Sequence, residues 1–140
     1  MDHLFLDTDV ILDLITDRVP FSDHIAVIFE MARRKEISVF TSALTLSNAY
    51  YILRKWGTHK KILDQFRKFS LILEYTEFNR EIVHNALQST FPDFEDALQN
   101  YSAEYQKKVN IILTRNTKDF KHSSLSVMTP EMYLKTKNPV

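Results

Sequence analysis

Apolar residues occur along this chain in short unbroken runs, separated by stretches in which they recur at helical spacing. An apolar run that does not alternate with polar residues is typical of a strand buried on both faces, as in a parallel sheet. We predict five such strands, at residues 3–7, 37–40, 71–73, 109–113 and 125–128. Because helices are predicted between them, the pattern indicates a three-layer α/β/α fold with a central, mostly parallel sheet of four to five strands.

Capping residues and helix breakers predict where the helices begin and end. The expected N-caps are Thr8 or Asp9, Ser22 after the breaker Pro20, Ser42 or Thr45, and Asp93 after Pro92. The only glycine, Gly57, is expected to end the third helix as its C-cap. Further helices are predicted at about 59–69 and 79–89, and the helix after Asp93 is expected to reach about Lys107.

Length and composition predict one α/β domain over residues 1–140. The chain is 44% hydrophobic and 26% charged, which is ordinary for a globular protein. It has no cysteine, which excludes disulfides and thiolate metal sites, and its single glycine excludes glycine-rich phosphate loops. With 18 basic and 18 acidic residues the net charge is zero, so nucleic-acid binding would need a local basic patch.

The apolar runs are also too short for a membrane protein. None approaches the roughly 20 residues of a membrane span. The amino terminus carries Asp2 where a signal peptide would carry basic residues. We therefore expect a cytoplasmic protein without membrane contact, and the absence of cysteine fits that compartment.

Acidic residues recur where predicted strands end and where one helix begins. They are Asp7 and Asp9 after the first strand, Asp93, Glu95 and Asp96 at the start of a helix, and Asp119 after the fourth strand. The carboxyl ends of parallel strands meet at one edge of a sheet, so these residues can converge there. Clustered carboxylates raise each other's pKa unless a divalent cation neutralises them, and Mg²⁺ or Mn²⁺ held in this way suits phosphodiester hydrolysis.

Each of these acids also has a purely structural interpretation. Asp9 and Asp93 are good N-caps, and Asp7 is an ordinary residue for the end of a strand. Glu95 and Asp119 are ordinary surface charges in this interpretation. The ordered set of acids therefore weighs more than any single member.

Four segments, in order, resemble the motifs of PIN domains, and of their VapC-like branch in particular. They are residues 6–12 (LDTDVIL), residues 41–48 (TSALTLSN), Asp96-Ala97-Leu98 followed by Ala103, and residues 113–120 (LTRNTKDF). The resemblance spans nearly the whole chain. It implies an endoribonuclease dependent on Mg²⁺ or Mn²⁺, and many bacterial members are toxins neutralised by a small antitoxin encoded beside them.

The resemblance also implies a set of site residues. Asp7 would be the first metal-binding acid and Asp96 the third, with Asp93 assisting or replacing it. Asp119 or Asn116 would complete the metal site. Arg115, beside these residues in the sequence, is the expected contact to the scissile phosphate.

One position departs from the family pattern. The second motif usually supplies a glutamate, and this chain has the uncharged Asn48 there. Asp9 stands where the family usually has asparagine. We hypothesise that Asp9 and Asn48 exchange roles at the metal, in which case Asp9→Asn would abolish Mn²⁺ binding.

Other functions and partners are also consistent with the sequence. A degenerate PIN domain would bind RNA or protein without cutting, and its binding would be indifferent to EDTA. A phosphatase of the haloacid dehalogenase type is disfavoured because its glycine-rich and later acidic motifs are missing.

The expected partners are RNA, a cognate antitoxin and a second copy of the chain. Candidate interface residues, which are equally candidates for the core, are Ile25, Val27, Ile28 and Met31.

Overall fold

The computed structural model describes residues 1–137, and a five-stranded sheet forms its centre. The strands are β1 His3–Leu6, β2 Ser38–Ser42, β3 Leu73–Thr76, β4 Ile111–Leu113 and β5 Ser126–Met128. They lie in the order β3-β2-β1-β4-β5, and every neighbouring pair is parallel. The predicted parallel sheet is confirmed.

Helices connect the strands, as the alternating pattern predicts. Within residues 1–137 they are α1 Thr8–Ile15, α2 Phe21–Arg33, α3 Ala43–Leu53, α4 His59–Ser70, α5 Arg80–Leu87, α6 Phe94–Tyr105 and α7 Pro130–Lys137. A 3₁₀ helix spans Thr117–Phe120.

Successive side chains of β1 show how the layers are built. Leu4 and Leu6 point into one core, which they share with residues of α1, α2 and α7, among them Val10, Ile28 and Tyr133. Phe5 points into the opposite core, together with Ala97 of α6 and Phe120 of the 3₁₀ helix. Because both faces of the sheet are buried, the strands are apolar without alternation. The three-layer α/β/α architecture is confirmed.

The order of the strands creates a crevice beside β1. The chain first builds outward from β1 through β2 to β3, and then crosses to the other side of β1 to form β4. At such a switch point the loops leaving the two central strands separate, which opens a crevice at their carboxyl ends. Leu6 pairs with Leu113, and the backbone N–H of Asp7 donates to the Leu113 carbonyl at 3.0 Å. Asp7 and Thr114 are therefore neighbours at this edge.

Several predicted helix ends are wrong by a few residues. Asp7 is the N-cap of α1, because its carboxylate accepts the N–H of Thr8. Pro20 occupies the N-cap position of α2, and Ser22 is a buried residue in the first turn of that helix. Helix α3 ends at Leu53, four residues before Gly57. The predicted caps Ser42 and Asp93 are confirmed.

Two elements near the sheet edges also differ from the prediction. The strand predicted at 71–73 overlaps β3 at Leu73 alone, since Leu71 is the C-cap of α4 and is 89% exposed. Strand β3 instead begins at Leu73 and continues through polar residues, because an edge strand with one covered face does not need an unbroken apolar run. Helix α7 was not predicted. Its weak apolar pattern hides one fully buried residue, Tyr133.

The candidate interface on α2 proves to be largely core. Ile25 and Ile28 are fully buried against the sheet, whereas Val27 is 50% exposed. None of the helices within residues 1–137 has the length and apolarity that a bilayer crossing requires. The predicted domain extent of 1–140 stays a prediction, because residues 138–140 lie outside the described part of the chain.

Candidate functional site

Asp7 lies at the centre of the candidate site, directly after β1. One carboxylate oxygen accepts the N–H of Thr8 at 2.8 Å, and the other accepts the hydroxyl of Thr114 at 2.9 Å. Burial raises the pKa of Asp7, while these two hydrogen bonds act in the opposite direction. The carboxylate is therefore held in one orientation at the mouth of the crevice between β1 and β4.

Asp9, in the first turn of α1, faces the loop that follows β4. Its Oδ2 accepts the backbone N–H of Arg115 at 3.0 Å and lies 3.5 Å from the side-chain nitrogen of Asn116. Its Oδ1 is buried and has no hydrogen-bond partner among the described residues. Burial, reinforced by the charge of Asp7, raises the pKa of Asp9 to about 6. A buried carboxylate oxygen without a partner is costly, and a bound cation would satisfy it.

Helix α6 brings a second group of acids to this edge of the sheet. Asp93 caps the helix by accepting the N–H of Asp96 at 2.9 Å, so one of its oxygens is used structurally. Burial raises the pKa of Asp96 to about 7, and four neighbouring carboxylates add to the effect. These neighbours are Asp7, Asp93, Asp119 and Glu95. Asp96 and the exposed Asp119 therefore lie within electrostatic reach of Asp7.

The sequence places Glu95 among the acids expected at this edge but assigns it no role at the metal. The side-chain amide of Asn48 donates to Glu95 Oε1 at 2.5 Å. Burial raises the pKa of Glu95, and Asp93 adds to it. The structure thus pairs Asn48 with a carboxylate of α6, while Asp9 is bound by the loop after β4. The charge that Asn48 lacks is present in its hydrogen-bond partner.

Arg115, the expected contact to the scissile phosphate, forms an ion pair with an acid of α1. Its guanidinium forms two hydrogen bonds with Asp13, at 2.7 Å and 3.3 Å, and lies 4.3 Å from the centre of the Phe21 ring. Burial raises the pKa of Asp13, and the charge of Arg115 counteracts this. The side chain of Arg115 therefore anchors the loop, and its backbone N–H serves Asp9. The four-residue spacing of Asp9 and Asp13 on α1 was the available signal for this second acid.

A buried polar network fixes the position of α6 relative to the sheet. The hydroxyl of Ser42 donates to the side-chain oxygen of Gln99 at 2.6 Å, and the Gln99 amide donates to Thr45 at 2.7 Å. All three residues are fully buried. Because buried hydrogen bonds of this kind are specific in geometry, they set where α6 presents Asp96.

The side chains at this site offer oxygen ligands, but they do not form a complete coordination shell for a metal ion. Within residues 1–137, no three acidic or histidine side chains stand close enough together to coordinate one ion as they are. Carboxylates from three separate segments nevertheless lie close enough to raise the pKa values of Asp7 and Asp96. Carboxylate and amide oxygens are the ligands preferred by Mg²⁺ and Mn²⁺. The partnerless Oδ1 of Asp9 fits such an ion.

Comparison with known proteins identifies the family. The model of the PIN domain matches residues 3–118. Among curated protein sequences, none matches this chain.

Solved structures show the same fold at low sequence identity. VapBC2 from Rickettsia felis, bound to a DNA fragment from its promoter, has a chain with a TM-score of 0.67 and 16% identity, covering 90% of this chain and 96% of that one. PAE2754 from Pyrobaculum aerophilum has a TM-score of 0.60 and 13% sequence identity, and the match covers 98% of each chain. FitAcB from Neisseria gonorrhoeae has a TM-score of 0.58 and 15% sequence identity, and the match covers 91% of this chain and 98% of that one. With its family model matched over most of its length, the chain belongs to the PIN domain family.

Proposed function

We propose that this PIN domain is an endoribonuclease that hydrolyses RNA phosphodiester bonds with Mg²⁺ or Mn²⁺. The observation that carries the proposal is the convergence of carboxylates at the switch point of the sheet. Their charges oppose one another, and one of their oxygens is buried without a partner. A protein site of this kind is electrostatically incomplete until a cation binds.

The proposed metal ligands are Asp7, Asp9 and Asp96, with Asp119, Glu95, Asp93, Asn48 and Asn116 around them. When bound, the metal would lower the pKa of a water molecule and neutralise charge on the phosphoryl oxygens. Thr114 and the N–H of Thr8 orient Asp7 for this task. The N–H of Arg115 orients Asp9, and Asn48 orients Glu95.

A cytoplasmic toxin of a toxin–antitoxin pair is the biological role that we propose for this nuclease. The motif resemblance supports it, and so does the similarity in fold to chains of VapBC2 and FitAcB. The partner would be a small antitoxin encoded beside the gene. If so, expression of the chain alone should arrest bacterial growth, and co-expression of that neighbour should relieve the arrest.

The nuclease proposal is tested by RNA cleavage and by metal titration of the same proteins. Wild-type protein should cut single-stranded RNA with Mn²⁺ and lose this activity in EDTA. Asp7→Asn should reduce cleavage at least 100-fold and abolish the calorimetric Mn²⁺ signal, while keeping the helix cap, since asparagine caps as well as aspartate. Asp64→Asn, on the exposed face of α4, is the matched control and should change neither.

The result that would contradict the proposal is RNA binding that is unaffected by EDTA and by Asp7→Asn, without cleavage. That outcome would establish the degenerate, binding-only domain instead. The Asp9–Asn48 exchange is tested in the same titration, since it requires that Asp9→Asn also abolish Mn²⁺ binding. Unchanged binding in that variant would leave Glu95 as the source of the missing charge.

A further inference from the structure

A small cavity lies directly beside the acidic site. It has a volume of about 240 Å³ and opens between the start of α2, the loop after β4 and the start of α7. Its lining includes Phe21, His24, Arg115, Asn116 and Glu131. The volume is several times that of a water molecule and below the range of pockets for drug-sized ligands. It suits one planar ring system.

Arg115 gives this cavity a flat and fixed cationic wall. Its guanidinium packs on the ring of Phe21 and is held in plane by the two hydrogen bonds that it donates to Asp13. The Arg115 side chain remains 27% exposed. A guanidinium plane fixed in this way is a stacking surface for an unpaired nucleobase.

The rest of the lining can recognise the edge of a base. His24 and Asn116 supply groups that both donate and accept hydrogen bonds, and Glu131 supplies a carboxylate that accepts from an amino group. Sequence-specific recognition of single-stranded RNA uses this combination of stacking and edge contacts. An apolar peptide side chain would leave these polar groups without partners, which disfavours it as the occupant.

The cavity and the acidic site share the same two residues. The backbone of Arg115 and the side chain of Asn116 face Asp9, while both residues also line the cavity. A phosphodiester at the acids would therefore place a neighbouring nucleotide within reach of the cavity. We propose that this cavity binds a nucleobase adjacent to the scissile bond and sets the base preference of cleavage, an inference that rests on the proposed nuclease function.

Binding is tested first in metal-free protein, so that it does not depend on catalysis. AMP, GMP, CMP and UMP are titrated separately while amide and side-chain resonances are followed by NMR. Bases with an amino group should shift the resonances of Arg115 and Asn116, and UMP should bind more weakly. His24→Ala and Glu131→Gln should each weaken binding at least fivefold, whereas His84→Ala, an exposed histidine on α5, should leave it unchanged.

Cleavage preference is tested second, on an RNA library with random sequence and Mn²⁺. Sequencing of the cut ends should show a changed base preference in Glu131→Gln, whereas His84→Ala should keep the base preference and the total cleavage of the wild type. Resonance shifts confined to other parts of the protein would overturn the inference. So would wild-type affinity in His24→Ala and Glu131→Gln together with a wild-type base preference in Glu131→Gln. If nucleotides bind here but no RNA is cut, the nuclease proposal fails while the base site stands.

Discussion

The Asp13–Arg115 pair is the most buried ion pair within residues 1–137. The Asp13 side chain is only 4% exposed, unlike the acids of the other ion pairs within residues 1–137. Asp13→Asn leaves Arg115 without its anionic partner, and breaking a buried pair costs about 3–5 kcal/mol. Because Arg115 is partly exposed, we expect a loss near the lower end, about 3 kcal/mol, in urea unfolding.

The control for that prediction is the same substitution at an exposed pair. Asp64 bonds Arg67 at 3.1 Å, and both side chains are more than half exposed. Surface pairs contribute about 0–1 kcal/mol, so Asp64→Asn should change stability by less than about 1 kcal/mol. Equal losses in the two variants would contradict a buried, supporting role for Asp13.

Asp96 should show the opposite relation between stability and function. Among residues 1–137 it has no cationic partner, and at pH 8 it is charged beside several other carboxylates. In EDTA, Asp96→Asn should therefore raise the melting temperature by a few degrees, since it removes like-charge repulsion. In Mn²⁺ the melting temperature of the same variant should rise by less than that of the wild type, because the variant has lost one of the proposed ligands. A lower melting temperature in EDTA would show that the Asp96 carboxylate stabilises the fold.

The sequence indicated some of these residues and not others, for physical reasons. Asp7, Asp96 and Asp119 stand beside predicted strand and helix ends, so local pattern places them. The feature that distinguishes Glu95 as a site residue is its hydrogen bond with Asn48, 47 residues away in the sequence. Asp13 is likewise defined by a partner 102 residues away. Local pattern carries no information about such long-range pairs.

At the scale of elements, α7 is bound to the start of β1. Lys137 at the end of α7 and the hydroxyl of Tyr133 both bond Asp2, at 2.7 Å and 2.8 Å. The hydrogen bond from Lys137 is the largest cause that lowers the pKa of Asp2 to about 2. These contacts hold the final helix against the sheet.

The pH dependence of stability should report this contact. Because the pKa of Asp2 is lower in the folded chain than the unfolded value near 3.9, its contribution is full above about pH 4 and is lost as the pH falls towards 2. Asp2→Asn should therefore be less stable than wild type at pH 7. In urea unfolding, the difference in the free energy of unfolding between the two proteins should be smaller at pH 3. A gap of equal size at both pH values would argue against the pKa shift.

Elements were predictable where burial is two-sided and less so elsewhere. Strands β1 and β4 are covered on both faces, so their apolar runs are unbroken and were found. Strand β3 lies at the edge and carries Glu74 and Tyr75, which displaced the prediction to Leu71–Leu73. Helix α7 contributes one large buried side chain, Tyr133, too little for a periodic signal.

At the scale of the whole molecule, the candidate site joins segments from nearly the full length of the chain. Asp7 and Asp9 come from its start, Asp96 from α6 and Asp119 from the 3₁₀ helix. A cation bound among them would stabilise only the folded state. At 100 times its dissociation constant, Mn²⁺ should add about 2.7 kcal/mol to the free energy of unfolding.

Chemical unfolding with and without Mn²⁺ measures this gain directly. Asp7→Asn should show little or none of it, and Asp64→Asn should show all of it. A gain of the same size in all three proteins would mean that Mn²⁺ binds elsewhere. The predicted homodimer is tested alongside, by the concentration dependence of the elution volume in size-exclusion chromatography.

The capping contact between Asp7 and Thr8 has a consequence for how this family can diverge. Asparagine caps a helix as well as aspartate does, so the shape of the molecule tolerates the loss of this charge. One nucleotide change converts an aspartate codon into an asparagine codon. Under the proposed function, a folded copy without nuclease activity that still displays every other surface is therefore one mutation away. A duplicate of the gene would then bind the proposed antitoxin as a decoy without passing through an unstable intermediate.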